Sequence, residues 1–264
     1  MTGRPAGPHP RLRRAGAGAI GILVLTLLPA IAPAQPALPP GFAYLRDVDA
    51  SIAQDMRYAG RDNFTGRPLP GYDAGECILT SGAAAALARA QAELAGAGLG
   101  LKVYDCYRPA RATRAMVRWA LDGGSDGKRF YPALAKASLL SGYIAAHSRH
   151  ATGTAVDLTL VARPARQTAA FDPRAHYGSC IEPADRRAPD TSLDMGTGYD
   201  CFDARSHTNS PAITSEQRRR RRLLVATLAR HGFHNYHREW WHFTFASPQP
   251  AAAHDFAIAP RPAR

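Results

Sequence analysis

No C-x-x-C pair occurs in the 264 residues, so the usual signature of a cysteine-held structural metal is missing. No internal repeat and no internal linker is visible, which argues for one domain rather than an array or a string of them. Regular strand–helix–strand alternation is absent too, and that argues against a doubly wound α/β fold. Long hydrophobic runs are scarce. The most apolar stretch, "AGAGAIGILVLTLLPAIA", is interrupted by Gly and Pro and falls short of the about 20 residues that a membrane span needs. The first 34 residues contain no acid.

Those 34 residues have an order of their own. Basic "RPAGPHPRLRR" comes first, then the apolar stretch, then "APA" at Ala32 to Ala34. That is the order of a secretory leader. Residues 1–34 are therefore expected to be removed, leaving 35–264 as a periplasmic or secreted protein with no stable membrane span. Removal takes away four Arg and no acid, so the formal +12 becomes +8 on 230 residues, a length that suits one compact domain. Much of the excess lies in "RRRRR", Arg218 to Arg222. The run opens a helix-like stretch, so it is expected to be a solvated helix face. No nucleic-acid partner is expected for an exported protein.

Four cysteines are present, an even count in a protein expected to be exported, and this suggests disulfides. Cys180–Cys201 would close a Pro/Asp/Gly-rich loop, and Cys77–Cys106 is the complementary pair. Sequence alone does not fix the connectivity.

"TSGAAAALARAQAELAGAG" predicts a helix that Thr80 or Ser81 starts and Gly96 or Gly98 ends. "LKVYDCYRP" predicts a strand from Leu101 that stops at Pro109, followed by a helix in "ARATRAMVRWALD". "TAVDLTLV" is β-branched and apolar, hence a strand. Residues 162 to 212 form a long Pro-, Asp-, Gly- and Ser-rich stretch, expected to be an ordered loop with a functional role. "TSEQ" at Thr214 to Gln217 fits a capping box, with the helix running to about Arg230 and stopping at Gly232. "NYHREWWHFTF" ends as a strand. Helices first and strands later argue for α+β.

Asp157 is the anomaly in this pattern: an ionisable acid inside a strand that otherwise reads as buried. Buried charge is costly unless it is paired or bound to a metal. A catalytic zinc takes three ligands from His, Asp, Glu or Cys and keeps one position for water. His150 and Asp157 offer two ligands, Gly153 lets the backbone turn between them, and small Ala155 leaves room on the face it shares with Asp157. "EWWH" supplies an imidazole, His242, and a carboxylate, Glu239, to take a proton from water. Residues i and i+3 point to opposite faces of a strand, so Glu239 is expected in a turn or bulge just before it. Trp240 and Trp241 are expected to be apolar walls. Arg108, at a strand end before Pro109, suits an oxyanion or a carboxylate.

Ser148-x-His150-x-x-Gly153-x-Ala155-x-Asp157, together with Glu239-Trp240-Trp241-His242, resembles the zinc D-Ala-D-Ala peptidases. Tyr107-Arg108-Pro109, Met195-Gly196-x-x-Tyr199-Asp200 and Ser206-His207 narrow the resemblance to the VanX-type D-alanyl-D-alanine dipeptidases, over about Asp47 to Phe245. The resemblance implies one zinc ion held by His150, Asp157 and His242. It implies Glu239 as general base and proton donor, Arg108 as transition-state stabiliser, Ser148 as a substrate contact, and Asp200 as acceptor of the ammonium of a small D,D-dipeptide. His147 and His207 gain no ligand role; His147 is expected to be structural or to support a ligand. The expected fold is α+β: one compact domain, a central, mainly antiparallel sheet flanked by helices, and the zinc site at the sheet. Two features depart from the resemblance, the leader and the enlarged Cys180–Cys201 segment. Export favours salvage of D-Ala-D-Ala from cell-wall turnover over antibiotic resistance. Two rival readings stay open: a murein D,D- or L,D-carboxypeptidase with the same zinc site, and a non-catalytic peptidoglycan-binding module.

Overall fold

The apolar run that contains Asp157 becomes the middle strand of the sheet, and the site is built around it. The computed structural model describes residues 1–3, 7, 37–247 and 252–262. The elements are β1 (Phe42–Tyr44), α1 (Leu45–Val48), β2 (Ala53–Gln54), β3 (Ile78–Thr80), α2 (Ser81–Ala95), β4 (Leu99–Asp105), α3 (Ala110–Ala120), β5 (Ala155–Ala162), α4 (Ser215–Arg230), β6 (Phe233–Asn235) and β7 (His242–Phe245). Five strands make one sheet in the order β2-β4-β5-β7-β6. Only β2–β4 is parallel in it; the other three pairings are antiparallel. β1 and β3 pair separately. The fold is α+β, with a mixed sheet flanked by helices.

Every residue of β5 from Ala155 to Val161 is buried, because both faces of the strand are covered. The period of two sends Val156, Leu158 and Leu160 into the main core, with Ala83 and Leu87 of α2 and Leu224 and Leu228 of α4. Ala155 and Asp157 turn to the other face. The Ala-rich side of α2 lets it lie close to β4. Thr80 precedes α2 but makes no side-chain capping bond, and Ser81 Oγ donates instead to the Gly41 carbonyl at 3.2 Å. The expected cap is therefore not formed; Ser81 meets the β1 edge instead. α4 does begin with the expected capping box of Thr214 and Gln217.

The basic run departs from expectation at one position. Arg221 is buried, and its guanidinium donates to the carbonyls of Met195, Arg205 and His207. Helical periodicity turns this one arginine of the five inward, where three loop carbonyls need a donor. Both expected disulfides are present, Cys77–Cys106 and Cys180–Cys201, with Cα–Cα separations of 5.3 and 5.4 Å.

β4 ends at Asp105, four residues before Pro109. The expected loop begins one residue later, because Ala162 still belongs to β5; residues 163–212 follow as irregular backbone, apart from the single 3₁₀ turn Ala204–Ser206. This stretch is tied to the sheet. Leu193 N–H donates to the Leu160 carbonyl at 2.9 Å, and Asp190 accepts from Arg57, Lys102 and Tyr104. The expected leader, except residues 1–3 and 7, lies outside the described residues. Among the described residues no helix is long and apolar enough to cross a membrane.

Candidate active site

Strand register assembles the first part of the site. Asp157 of β5 stands directly opposite His242 of β7. His150 arrives from the 3₁₀ turn Arg149–Thr152 just before β5. Gly153 turns the backbone at φ +71°, and a Cβ there would lie 2.3 Å from the ring of Phe42, so only glycine fits. The ligand atoms form a close triangle. His150 Nε2 lies 3.1 Å from His242 Nδ1 and 3.3 Å from Asp157 Oδ1, and His242 Nδ1 lies 2.9 Å from Asp157 Oδ1.

A tetrahedral ion with bonds of about 2.0–2.2 Å needs its ligands about 3.3 Å apart, so this triangle is close to one face of such a shell. The protonation pattern agrees. His150 Nδ1–H donates to the Cys106 carbonyl at 2.7 Å, which leaves Nε2 with a lone pair directed at the triangle. Burial pushes the His242 imidazole below its ordinary value, toward the neutral, ligating form. Burial alone would raise Asp157; the imidazoles of His150 and His242 outweigh it and hold the carboxylate well below its usual range. Three convergent donors of these types, His150 and Asp157 buried and His242 half-buried, form a group that could hold a metal ion.

Glu239 lies in the turn between β6 and β7, just before β7, as the strand geometry required. Asn235 Nδ2 fixes the turn by donating to the carbonyls of Glu239 and His242, both at 3.0 Å. Glu239 Oε2 is 3.9 Å from His242 Nδ1. Burial, then the negative charges of Asp157 and Asp200, push its carboxyl well above the usual range, with Arg108 opposing. A carboxylate in such surroundings takes up a proton more readily than an exposed one. Trp241 lines the cavity that Glu239 and His242 border, whereas Trp240 does not border it and donates Nε1–H to Thr197 at 2.8 Å. Only one of the two tryptophans is therefore a wall of the site.

Arg108 is aimed by a residue that the sequence pattern did not single out. Asp105 is fully buried at the end of β4 and stands opposite Asp157 across the β4–β5 pairing. Two acids facing each other repel. Arg108 lies between them: Nε and a terminal nitrogen contact Asp105 at 2.9 and 2.8 Å, and the same terminal nitrogen lies 3.8 Å from Asp157. Tyr72 donates to the other Asp105 oxygen at 2.6 Å. Tyr58 likewise carries no signal in the sequence. Its ring lies under the Arg108 guanidinium, 5.0 Å away, and its hydroxyl donates to Asp200 at 2.8 Å. Tyr199, which the motif contains without a role, donates to Asp157 Oδ2 at 3.0 Å.

Asp200 is buried and takes a left-handed backbone conformation at φ +54°. Burial, then the nearby Asp157, raise its carboxyl well above the ordinary value; Tyr58 and Arg108 pull the other way. Such a group is stabilised in its ionised form by an incoming cation. Ser148 Oγ accepts from His150 N–H at 3.2 Å. Ser148, Arg108, His150, Asp157, Asp200, Glu239 and His242 all border one cavity of about 320 Å³. His147 lies exposed at that cavity rather than behind a ligand, and His207 does not border it.

Residues 40–172 and 162–258 match the family described as D-ala-D-ala dipeptidase. The protein belongs to this metallopeptidase family. It is 35% identical over 222 residues to the D-alanyl-D-alanine dipeptidase of Streptomyces coelicolor, covering 83% of its own length and 98% of that relative. The D-alanyl-D-alanine dipeptidase of Enterococcus faecalis is 31% identical over 223 residues, with 83% and 98% covered. That of Escherichia coli K12 is 31% identical over 205 residues, with 77% and 84% covered. In this metal-dependent family the triangle of His150, Asp157 and His242 fits the metal.

Proposed function

We propose that this protein is an exported zinc dipeptidase that hydrolyses D-alanyl-D-alanine to two molecules of D-Ala. The observation that carries the reading is one cavity bordered by a His–His–Asp metal triangle, a buried glutamate and a buried aspartate, in a protein whose relatives bear that dipeptidase name. Zinc is favoured as the metal by the imidazole and carboxylate donors and by the nearly tetrahedral spacing.

When bound, the ion polarises the scissile carbonyl and makes water acidic enough to be deprotonated near neutral pH. Asp200 pairs with the ammonium of the first residue and fixes the dipeptide. Ser148 holds it near the metal. Glu239 removes a proton from the attacking water as the new C–O bond forms. Arg108, held by Asp105 and Tyr58, faces the oxyanion and spreads its charge. Glu239 then delivers the proton to the leaving nitrogen as the C–N bond breaks. Trp241 keeps one side of the reaction dry, which strengthens these charges.

A free ammonium at Asp200 distinguishes a dipeptide from a longer murein peptide, which continues at that point. The leader of residues 1–34 puts the activity in the periplasm or outside the cell, where salvage of dipeptide from wall turnover is the fitting role. The test strips the purified residues 35–264 with a chelator, restores zinc, and follows free D-Ala from D-Ala-D-Ala. Turnover should vanish and return. Undiminished turnover after complete metal removal would reject the reading.

A further inference from the structure

A dipeptide has two charged ends, and Asp200 suits only one of them, the ammonium. The carboxylate of the second residue needs a cation. Arg108 is already committed: it holds Asp105 through two nitrogens, its third nitrogen is 3.4 Å from Met116 Sδ, and its face lies over Tyr58. The other arginine bordering the cavity is Arg149. It is exposed, it stands between Ser148 and His150 in the 3₁₀ turn, and its guanidinium has no hydrogen-bond or ion-pair partner among the described residues.

We propose that Arg149 grips the C-terminal carboxylate of the substrate and sets the requirement for a free C-terminus; the assignment rests on the dipeptidase reading above. The covalent geometry supports it. In a dipeptide the carboxylate is one Cα removed from the scissile nitrogen, so its partner must sit beside the metal ligands, and Arg149 immediately precedes one of them. A planar guanidinium matches a carboxylate with two parallel hydrogen bonds. The cavity then reads both ends of its substrate, with an acid for the ammonium and a guanidinium for the carboxylate. Extension at the first residue removes the charge that Asp200 reads. Amidation or extension at the second removes the charge that Arg149 reads.

The test compares the zinc-loaded mature protein with its Arg149→Gln and Arg149→Lys variants on D-Ala-D-Ala and on the C-terminal amide of the same dipeptide. Wild type should prefer the free acid. Arg149→Gln should lower the ratio of kcat/KM for acid over amide by about tenfold, mainly through KM for the acid, as expected for one charge-assisted contact at an exposed position. Arg149→Lys should restore part of the preference, and metal content and melting temperature should match wild type in both variants. A wild-type acid/amide ratio in Arg149→Gln would overturn the assignment and leave the dipeptidase reading intact. A wild type inactive on both substrates would overturn both.

Discussion

The two sides of the cavity are held by different means. The metal side is made by the sheet: Asp157 and His242 are cross-strand partners, and His150 is fixed by the turn that starts β5. The substrate side is made by irregular backbone. Asp200 sits in the 163–212 stretch at a left-handed φ, and what holds it is the adjacent Cys180–Cys201 disulfide, the Phe202 N–H to Phe130 carbonyl bond at 2.7 Å, and the Tyr58 hydroxyl. A backbone ladder fixes positions through many cooperative bonds, whereas a tethered loop depends on a few. In the proposed mechanism the metal ligands and the contacts of Ser148 and Arg149 stand on the sheet and the turn that starts β5, the reading of the substrate ammonium by Asp200 stands on the tethered loop, and Arg108 and Asp105 join the two.

The largest effect is expected on the metal side. Glu239→Ala should keep the metal and lose about 10²–10⁴-fold in turnover, checked by metal analysis alongside D-Ala release. Retained turnover would contradict the base assignment. The joint between the two sides comes next. Asp105→Asn leaves Arg108 without its closer ionic partner, and kcat/KM should fall by about 10–100-fold while circular dichroism stays that of the folded protein.

The substrate side should respond in KM. Replacing both Cys180 and Cys201 by Ser should raise KM for the dipeptide with little change in kcat or metal content. It should also cost about 3 kcal/mol of stability, the typical cost of opening a loop of this size, measured by denaturant unfolding. A fall in kcat at unchanged KM would erase the distinction between the two sides. The pH profile bears on both. In the proposed mechanism Glu239 must be ionised to accept a proton, and burial with its acidic neighbours shifts its carboxyl upward. The acid limb of kcat/KM should therefore begin to fall at higher pH than for an ordinary carboxylate.

The smallest effect lies outside both sides. Asp255 binds Arg111 and Arg114 at α3, and these contacts hold its carboxyl down at about 2. The folded value lies below the unfolded value of about 3.9, so the contribution is fully present above that unfolded value and lost as pH falls toward the folded one. The pairs are exposed, so Asp255→Asn should cost about 0–1 kcal/mol at neutral pH and leave both kinetic constants alone.

Much of the site was legible because metal chemistry demands particular side chains. An acid in a buried strand, two histidines and a glutamate three residues before one of them point to His150, Asp157, Glu239 and His242, and the structure brings all four to one cavity. Asp105, an acid at the end of the neighbouring strand, meets the same criterion, but its burial and its grip on Arg108 emerge only from the fold. Tyr58 was beyond reach: an aromatic in a three-residue 3₁₀ turn, Arg57–Ala59, carries no periodicity, and its contacts arise only where it meets Arg108 and Asp200. The strands β1, β2 and β3 have two or three residues each, too few to show alternation. Arg221 shows a further limit, since a charge run read as one face hides the member that the helix turns inward.

The most direct test of the account gives zinc-loaded residues 35–264 two substrates in separate reactions, D-Ala-D-Ala and a muramyl pentapeptide ending in D-Ala-D-Ala, with Asp200→Asn run beside wild type. The account predicts D-Ala from the dipeptide alone, and a large loss of that activity in Asp200→Asn. Release of D-Ala from the pentapeptide, undisturbed by Asp200→Asn, would contradict it and make this a murein carboxypeptidase.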